Sequence, residues 1–127
     1  MTGPRHVFEY AAVRVVPRPE RGEFINAGVL LYCQGLDFLG SAIQLDEARL
    51  LALDPAVDVA GVRAGLRGYE TVCDGEADLA PCAPPAGQRF RWLTAPRSTI
   101  VQPGPVHAGL TADPHAELAH LLDVLVR

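Results

Sequence analysis

The chain has 127 residues, about half of them hydrophobic and a fifth charged, which is enough to bury a core in a single domain (1–127) without disulfides or metal. Its net charge is −4, so it lacks the cationic surplus that general nucleic-acid binding requires. No run approaches the ~18 apolar residues of a membrane span, and the N-terminal MTGPRHVFEY has no apolar signal core.

The three cysteines, Cys33, Cys73 and Cys82, are an odd number without a CxxC pair and read as reduced, buried small hydrophobes of a cytoplasmic protein. Every basic side chain is an arginine, so cationic contacts are planar and bidentate, and lysine chemistry is excluded. The charge is segregated. Residues 37–78 hold nine acids against three arginines, whereas residues 1–36 and 79–127 each hold four arginines against three acids.

Val7 to Val16 alternates as a strand covered on both sides, with Val7, Ala11, Val13 and Val15 on one face and Phe8, Tyr10, Ala12, Arg14 and Val16 on the other. PRPERGE, residues 17–23, is a loop by its prolines and glycine. Phe24 to Cys33 predicts a second strand with Ile25, Ala27, Val29 and Leu31 on one face, and Phe38 to Leu45 a third, joined as an antiparallel meander. Asp46 then caps a short helix ending at Asp54-Pro55, and Asp58 caps a longer one carrying Val59, Val62, Leu66, Tyr69 and Val72 or Cys73 at helical spacing. Residues 74–88 read as a mobile proline-rich loop. Phe90 to Thr94 and Ser98 to Gln102 predict short strands, and Pro103-Gly104-Pro105 a turn before His107. Asp113-Pro114 starts a final helix with the apolar stripe Leu118, Leu121, Leu122 and Leu125. The fold class is α+β: a mostly antiparallel sheet of about five strands with two or three helices packed on it.

Function concentrates where arginines interrupt strand-like sequence, because a guanidinium is rarely buried unless paired. The first block holds Arg14, Arg18, Arg21, Glu23 and Asn26; the second holds Arg89, Arg91, Arg97, Ser98, Thr99 and His107. Arginine forks with hydroxyls and an amide suit an anionic group, and Glu23 or His107 are the candidate proton-transfer groups. No reaction follows from the pattern. There is no glycine-rich phosphate loop, no HExxH and no GxSxG elbow, and the cysteines are too scattered for zinc, so no metal or cofactor is expected.

VRVVPRPERGEFINAGVLLYC followed by FRWLTAPRSTIVQPGPVH resembles a bacterial family known as domain of unknown function 3037, from about Tyr10 to the final helix. The resemblance implies no activity. It does imply a protein partner, a kinase-like protein of the HipA type, and it singles out Arg14, Arg21, Glu23, Asn26, Arg97, Ser98 and His107. The leading expectation is a non-enzymatic module that binds a partner protein or anionic group through Arg14, Arg18, Arg21, Asn26, Arg91, Arg97, Ser98 and Thr99. The alternative is a small enzyme on a phosphorylated or carboxylated substrate, with Arg21 and Arg97 clamping the anion and Glu23 or His107 moving a proton. A third reading confines the arginines to internal ion pairs.

Overall fold

The alternation at the start of the chain folds into a long antiparallel hairpin. A computed structural model, which describes residues 3–127, places β1 at His6–Val15 and β2 at Ile25–Cys33. A single 3-10 turn, with Asp37 in the left-handed region (φ 48), leads into β3 at Phe38–Ile43. The other edge of β1 is shared: β4 (Val101–Pro103) pairs with Val13 to Val15, and β5 (His107–Thr111) pairs with His6 to Tyr10. The sheet therefore has five strands in the order β3-β2-β1-β4, with β5 beside β4 along β1.

Helices cover both faces. Two of them, α1 (Glu47–Leu53) and α2 (Val59–Asp74), follow β3; α3 (Ala86–Leu93) precedes β4; and α4 (Pro114–Leu125) closes the chain. Asp46, Asp58 and Asp113 are the N-caps expected, each side chain accepting from the backbone N–H three residues on. Val13, Val15, Ala27 and Leu30 pack against Leu50, Val62, Leu66, Phe90 and Leu93 on one face. Phe8, Val29, Leu31 and Cys33 pack against Leu118, Leu121 and Val126 on the other. Burial on both sides explains why β1 and β2 carry nearly unbroken apolar runs.

The structure departs from expectation in several places, among them an unexpected strand at β5 and a proline-rich segment that ends at Pro85, where α3 begins. The segment Phe90–Thr94 is not a strand; it belongs to α3, where Phe90 and Leu93, three residues apart, bury into the core while Trp92 stays half-exposed. The strand placed at Ser98–Gln102 is shorter and later, at Val101–Pro103. The face assignment in β2 slips by one residue. Register runs from Glu9 opposite Tyr32 to Val13 opposite Gly28, then jumps to Arg14 opposite Asn26, leaving Ala27 as a bulge that joins the α2 side with Leu30, while Val29 and Leu31 face α4. Finally, there are four α-helices, α3 being the addition to the three that carry aspartate caps. The proline-rich loop is anchored at buried Cys82, whose thiol donates to the carbonyl of Thr71 at 3.6 Å.

Candidate functional site

The β-bulge sets the position of one arginine. Because Ala27 is extruded, Arg14 lies directly across from Asn26 on β2 and from Gln102 on β4, on the middle strand of the sheet. Its guanidinium lies over the ring of Phe24, 4.1 Å from the centroid. On another side the backbone of Gly104 comes so close that a Cβ there would stand 3.0 Å from Nε. A side chain at this position, between Pro103 and Pro105, would have to push the guanidinium aside.

The Arg14 side chain makes no hydrogen bond among the described residues, and its Nε is buried. The other buried side-chain atom without a partner is Oδ1 of Asn26, its cross-strand neighbour. The amide of Asn26 is oriented by Nδ2, which donates to the carbonyl of Leu125 at 3.0 Å near the end of α4. A buried donor and a buried acceptor side by side, both unused, are rare in a folded core.

Two clefts open on Arg14. One, about 140 Å³, is lined with Tyr10, Asn26, Pro105, His107 and Leu125. The other, about 210 Å³, is lined with Pro19, Gly22, Phe24, Ser98 and Gln102. His107 opposes Tyr10 across the β1–β5 pair, their rings 5.4 Å apart. Arg14 is thus shared by two clefts, with Ser98 in one and Asn26 and His107 in the other, and the two arginine-bearing blocks meet along β1 and β4, where Val16 N–H donates to the Ile100 carbonyl.

The remaining candidates are elsewhere. Arg21 pairs with Glu23 at 2.6 Å on the exposed loop, and this hydrogen bond raises the arginine's pKa and lowers the carboxylate's. Arg18 lies 3.9 Å from Glu20 on the same loop. Arg91 forms a bidentate pair with Glu9 at 2.5 and 2.8 Å, which raises its pKa. Arg97 lies on the α2 side of the sheet, donating to the carbonyls of Trp92 and Ala95 and to the Tyr69 hydroxyl. Thr99 turns its hydroxyl to the Val101 carbonyl. Arg89 is half-buried and satisfied within the chain, donating to the carbonyls of Val72 (3.0 Å), Cys73 (3.3 Å) and Pro84 (2.8 Å). Arg21 and Arg97 therefore do not form a clamp, and Glu23, Arg97 and His107 occupy three separate surroundings.

Tyr10, Phe24, Gly104 and the Leu125 carbonyl complete the site and were not singled out from the sequence. Only Gly104 carried a usable signal, a glycine wedged between prolines where a backbone must pass close to something. Among the described residues no group of three or more His, Cys, Asp or Glu side chains comes together in a way that would hold a metal ion, and no helix is long and apolar enough to cross a membrane.

With this geometry in place, the comparison with known families is direct. The model of a family described as a protein of unknown function, DUF3037, matches residues 10–126, nearly the whole chain, and the chain belongs to that family. No curated protein and no solved structure matches it. The matched span contains every residue of the Arg14 clefts.

Proposed function

We propose that this DUF3037 chain is a cytoplasmic, non-enzymatic binding module whose recognition element is Arg14, and that it takes an anionic group of a partner protein. The observation that carries the reading is the unused pair at the bulge: a buried Arg14 Nε and a buried Asn26 Oδ1 on adjacent strands. Leaving such groups unsatisfied costs roughly 1–3 kcal/mol each. Neither atom has accessible area in the unbound chain, so a ligand recovers that cost by drawing Nε and Oδ1 to the cleft surface as it binds. It must offer an acceptor to Arg14 and, beside it, a donor to Asn26. An aspartate or glutamate side chain with a neighbouring peptide N–H has that chemistry, whereas a bare phosphate dianion offers Asn26 no donor.

Location supports the same reading. Arg14 is fixed by Phe24 and Gly104, so little side-chain entropy is lost on binding. The surrounding walls, Tyr10, His107 and Phe24, supply aromatic contact area of the kind that anchors interfaces. The family resemblance makes a kinase-like protein of the HipA type the first partner to try.

The test is purification of the tagged chain from its own cells beside Arg14→Gln and Arg21→Gln variants. The reading expects a stoichiometric protein that remains with Arg21→Gln and is lost with Arg14→Gln, since a charge-assisted bond contributes about 1.5–3 kcal/mol, or more than tenfold in affinity. Retention of that protein by Arg14→Gln, or recovery of the wild-type chain alone, would overturn it.

A further inference from the structure

A second cavity lies on the opposite layer, independent of the Arg14 clefts. It runs along α2 from Asp58 to Tyr69 and is closed by Thr99, Ile100 and Val101, enclosing about 410 Å³. That volume is in the range of small-molecule sites. Its walls are largely aliphatic, from Val57, Val62, Ile100 and Val101, and its floor is α2 backbone at Gly61 and Gly65. Ile100 is 43% exposed, so its aliphatic side chain is reachable from the groove.

One end of this groove carries a fixed cation. The Arg97 guanidinium lies 4.9 Å from the Trp92 ring centroid and 5.7 Å from that of Tyr69. Its hydrogen bonds go to two carbonyls and the Tyr69 hydroxyl, and no carboxylate pairs with it among the described residues. Burial raises the Tyr69 pKa, so the phenol stays neutral and leaves the Arg97 charge uncompensated. Three donors are used of the five a guanidinium has. The remaining N–H groups belong to a pre-oriented fork at the end of an apolar slot.

The other end is anionic. Asp58 caps α2 through Gly61 N–H, and eleven residues of helix separate it from Tyr69, about 16 Å at 1.5 Å per residue. The groove therefore has a positive end, an apolar middle and a carboxylate at the far rim. That charge order orients an occupant and excludes a second anionic group on its tail.

We propose that the α2–β4 groove binds an apolar monocarboxylate, with the carboxylate on Arg97 and the aliphatic tail running along α2 toward, but short of, Asp58. The ligand class follows from charge complementarity at Arg97 and from the aliphatic walls. A bidentate carboxylate supplies the acceptors that Arg97 still lacks.

The test uses octanoate as probe, with octylamine as the head-group control, in an NMR titration of the intact chain. Expected are saturable one-to-one amide shifts centred on Gly61, Gly65, Tyr69 and Ile100 with octanoate, and none there with octylamine. Arg97→Gln weakens octanoate at least tenfold. Because Arg97 also ties the 94–97 loop to Trp92, a second variant is needed. Ile100→Glu introduces a carboxylate into the wall at an exposed position, keeps the fold by circular dichroism, and abolishes the octanoate shifts. The proposal is overturned if octanoate leaves the groove amides unmoved, if octylamine binds there as well as octanoate does, or if folded Ile100→Glu binds octanoate like the wild type.

Discussion

Replacing Arg14 with methionine separates a recognition arginine from a structural one by the sign of its effect on stability. Methionine keeps an unbranched apolar stem of similar reach and removes the guanidinium. Three terms change. The buried Nε without a partner no longer incurs a desolvation cost of about 1–3 kcal/mol. The stacking on Phe24 at 4.1 Å is lost, about 0.5–1 kcal/mol for a ring that is partly exposed. No hydrogen bond or ion pair is broken, since Arg14 makes none among the described residues. The balance runs from neutral to a gain of about 2 kcal/mol, and a chain of this size gains roughly 4 °C in Tm per kcal/mol. Urea denaturation followed by far-ultraviolet circular dichroism reads it: with a slope of about 2 kcal/mol/M, the midpoint stays constant or rises by up to ~1 M. A fall in stability of more than about 1.5 kcal/mol would refute the reasoning, because it would mean Arg14 is an internal structural contact.

Arg89→Met gives the opposite result. It removes donors to the carbonyls of Val72 and Cys73 at the end of α2 and of Pro84 just before α3, and the same denaturation assay should show a loss of about 3–4 kcal/mol with no effect on partner binding. Gly104→Ala puts a Cβ 3.0 Å from Arg14 Nε and 3.1 Å from its Cζ; displacing the guanidinium should weaken the partner retained by Arg14 several-fold while circular dichroism shows the native fold. Cys73 provides the pH dependence: burial pushes its thiol up to about 11, so the unfolded chain, with a thiol near 8.5, ionises first. Stability should then fall above about pH 9 with this thiol contributing up to ~1.4 kcal/mol per pH unit, and Cys73→Ala should flatten that part of the curve measured by urea titration from pH 8 to 10.5.

Legibility in the sequence followed how local each determinant is. The β1–β2–β3 meander reads from alternation between short turns. Three helices announce themselves through Asp46, Asp58 and Asp113, whose capping bonds close within three residues. Helix α3 has no such signal: its N-cap is Pro85, without a side-chain cap, and Arg89-Phe90-Arg91-Trp92 mimics strand alternation. Its helical state depends on Phe90 and Leu93 finding the core and on Arg89 finding carbonyls of α2. β5 is similarly silent, because His107–Leu110 is largely exposed and held by backbone pairing to β1. The bulge at Ala27 belongs to the pairing of two strands, and no reading of β2 alone reveals it.

The site was legible to the same degree. An arginine inside a doubly buried strand marked Arg14, and its neighbours Asn26 and His107 were named with it. The fates of Arg91 and Arg97 are hidden, because their partners are Glu9, eighty-two residues away, and the carbonyls of a helix end, whereas the Arg21–Glu23 pair on the loop is local and readable. Once those are assigned, most of the arginine-rich wording is internal pairing, and Arg14 remains as the half-buried exception whose Nε has no partner.

The most direct measurement is the side-chain Nε–H resonance of Arg14, assigned by its disappearance in Arg14→Met, during titration with a blocked glutamate tripeptide. The account predicts a saturable shift of that resonance together with the Asn26 side-chain amide, with Arg89 and Arg91 unmoved. A titration that moves only loop arginines such as Arg18 and Arg21, leaving Arg14 and Asn26 in place, would contradict it.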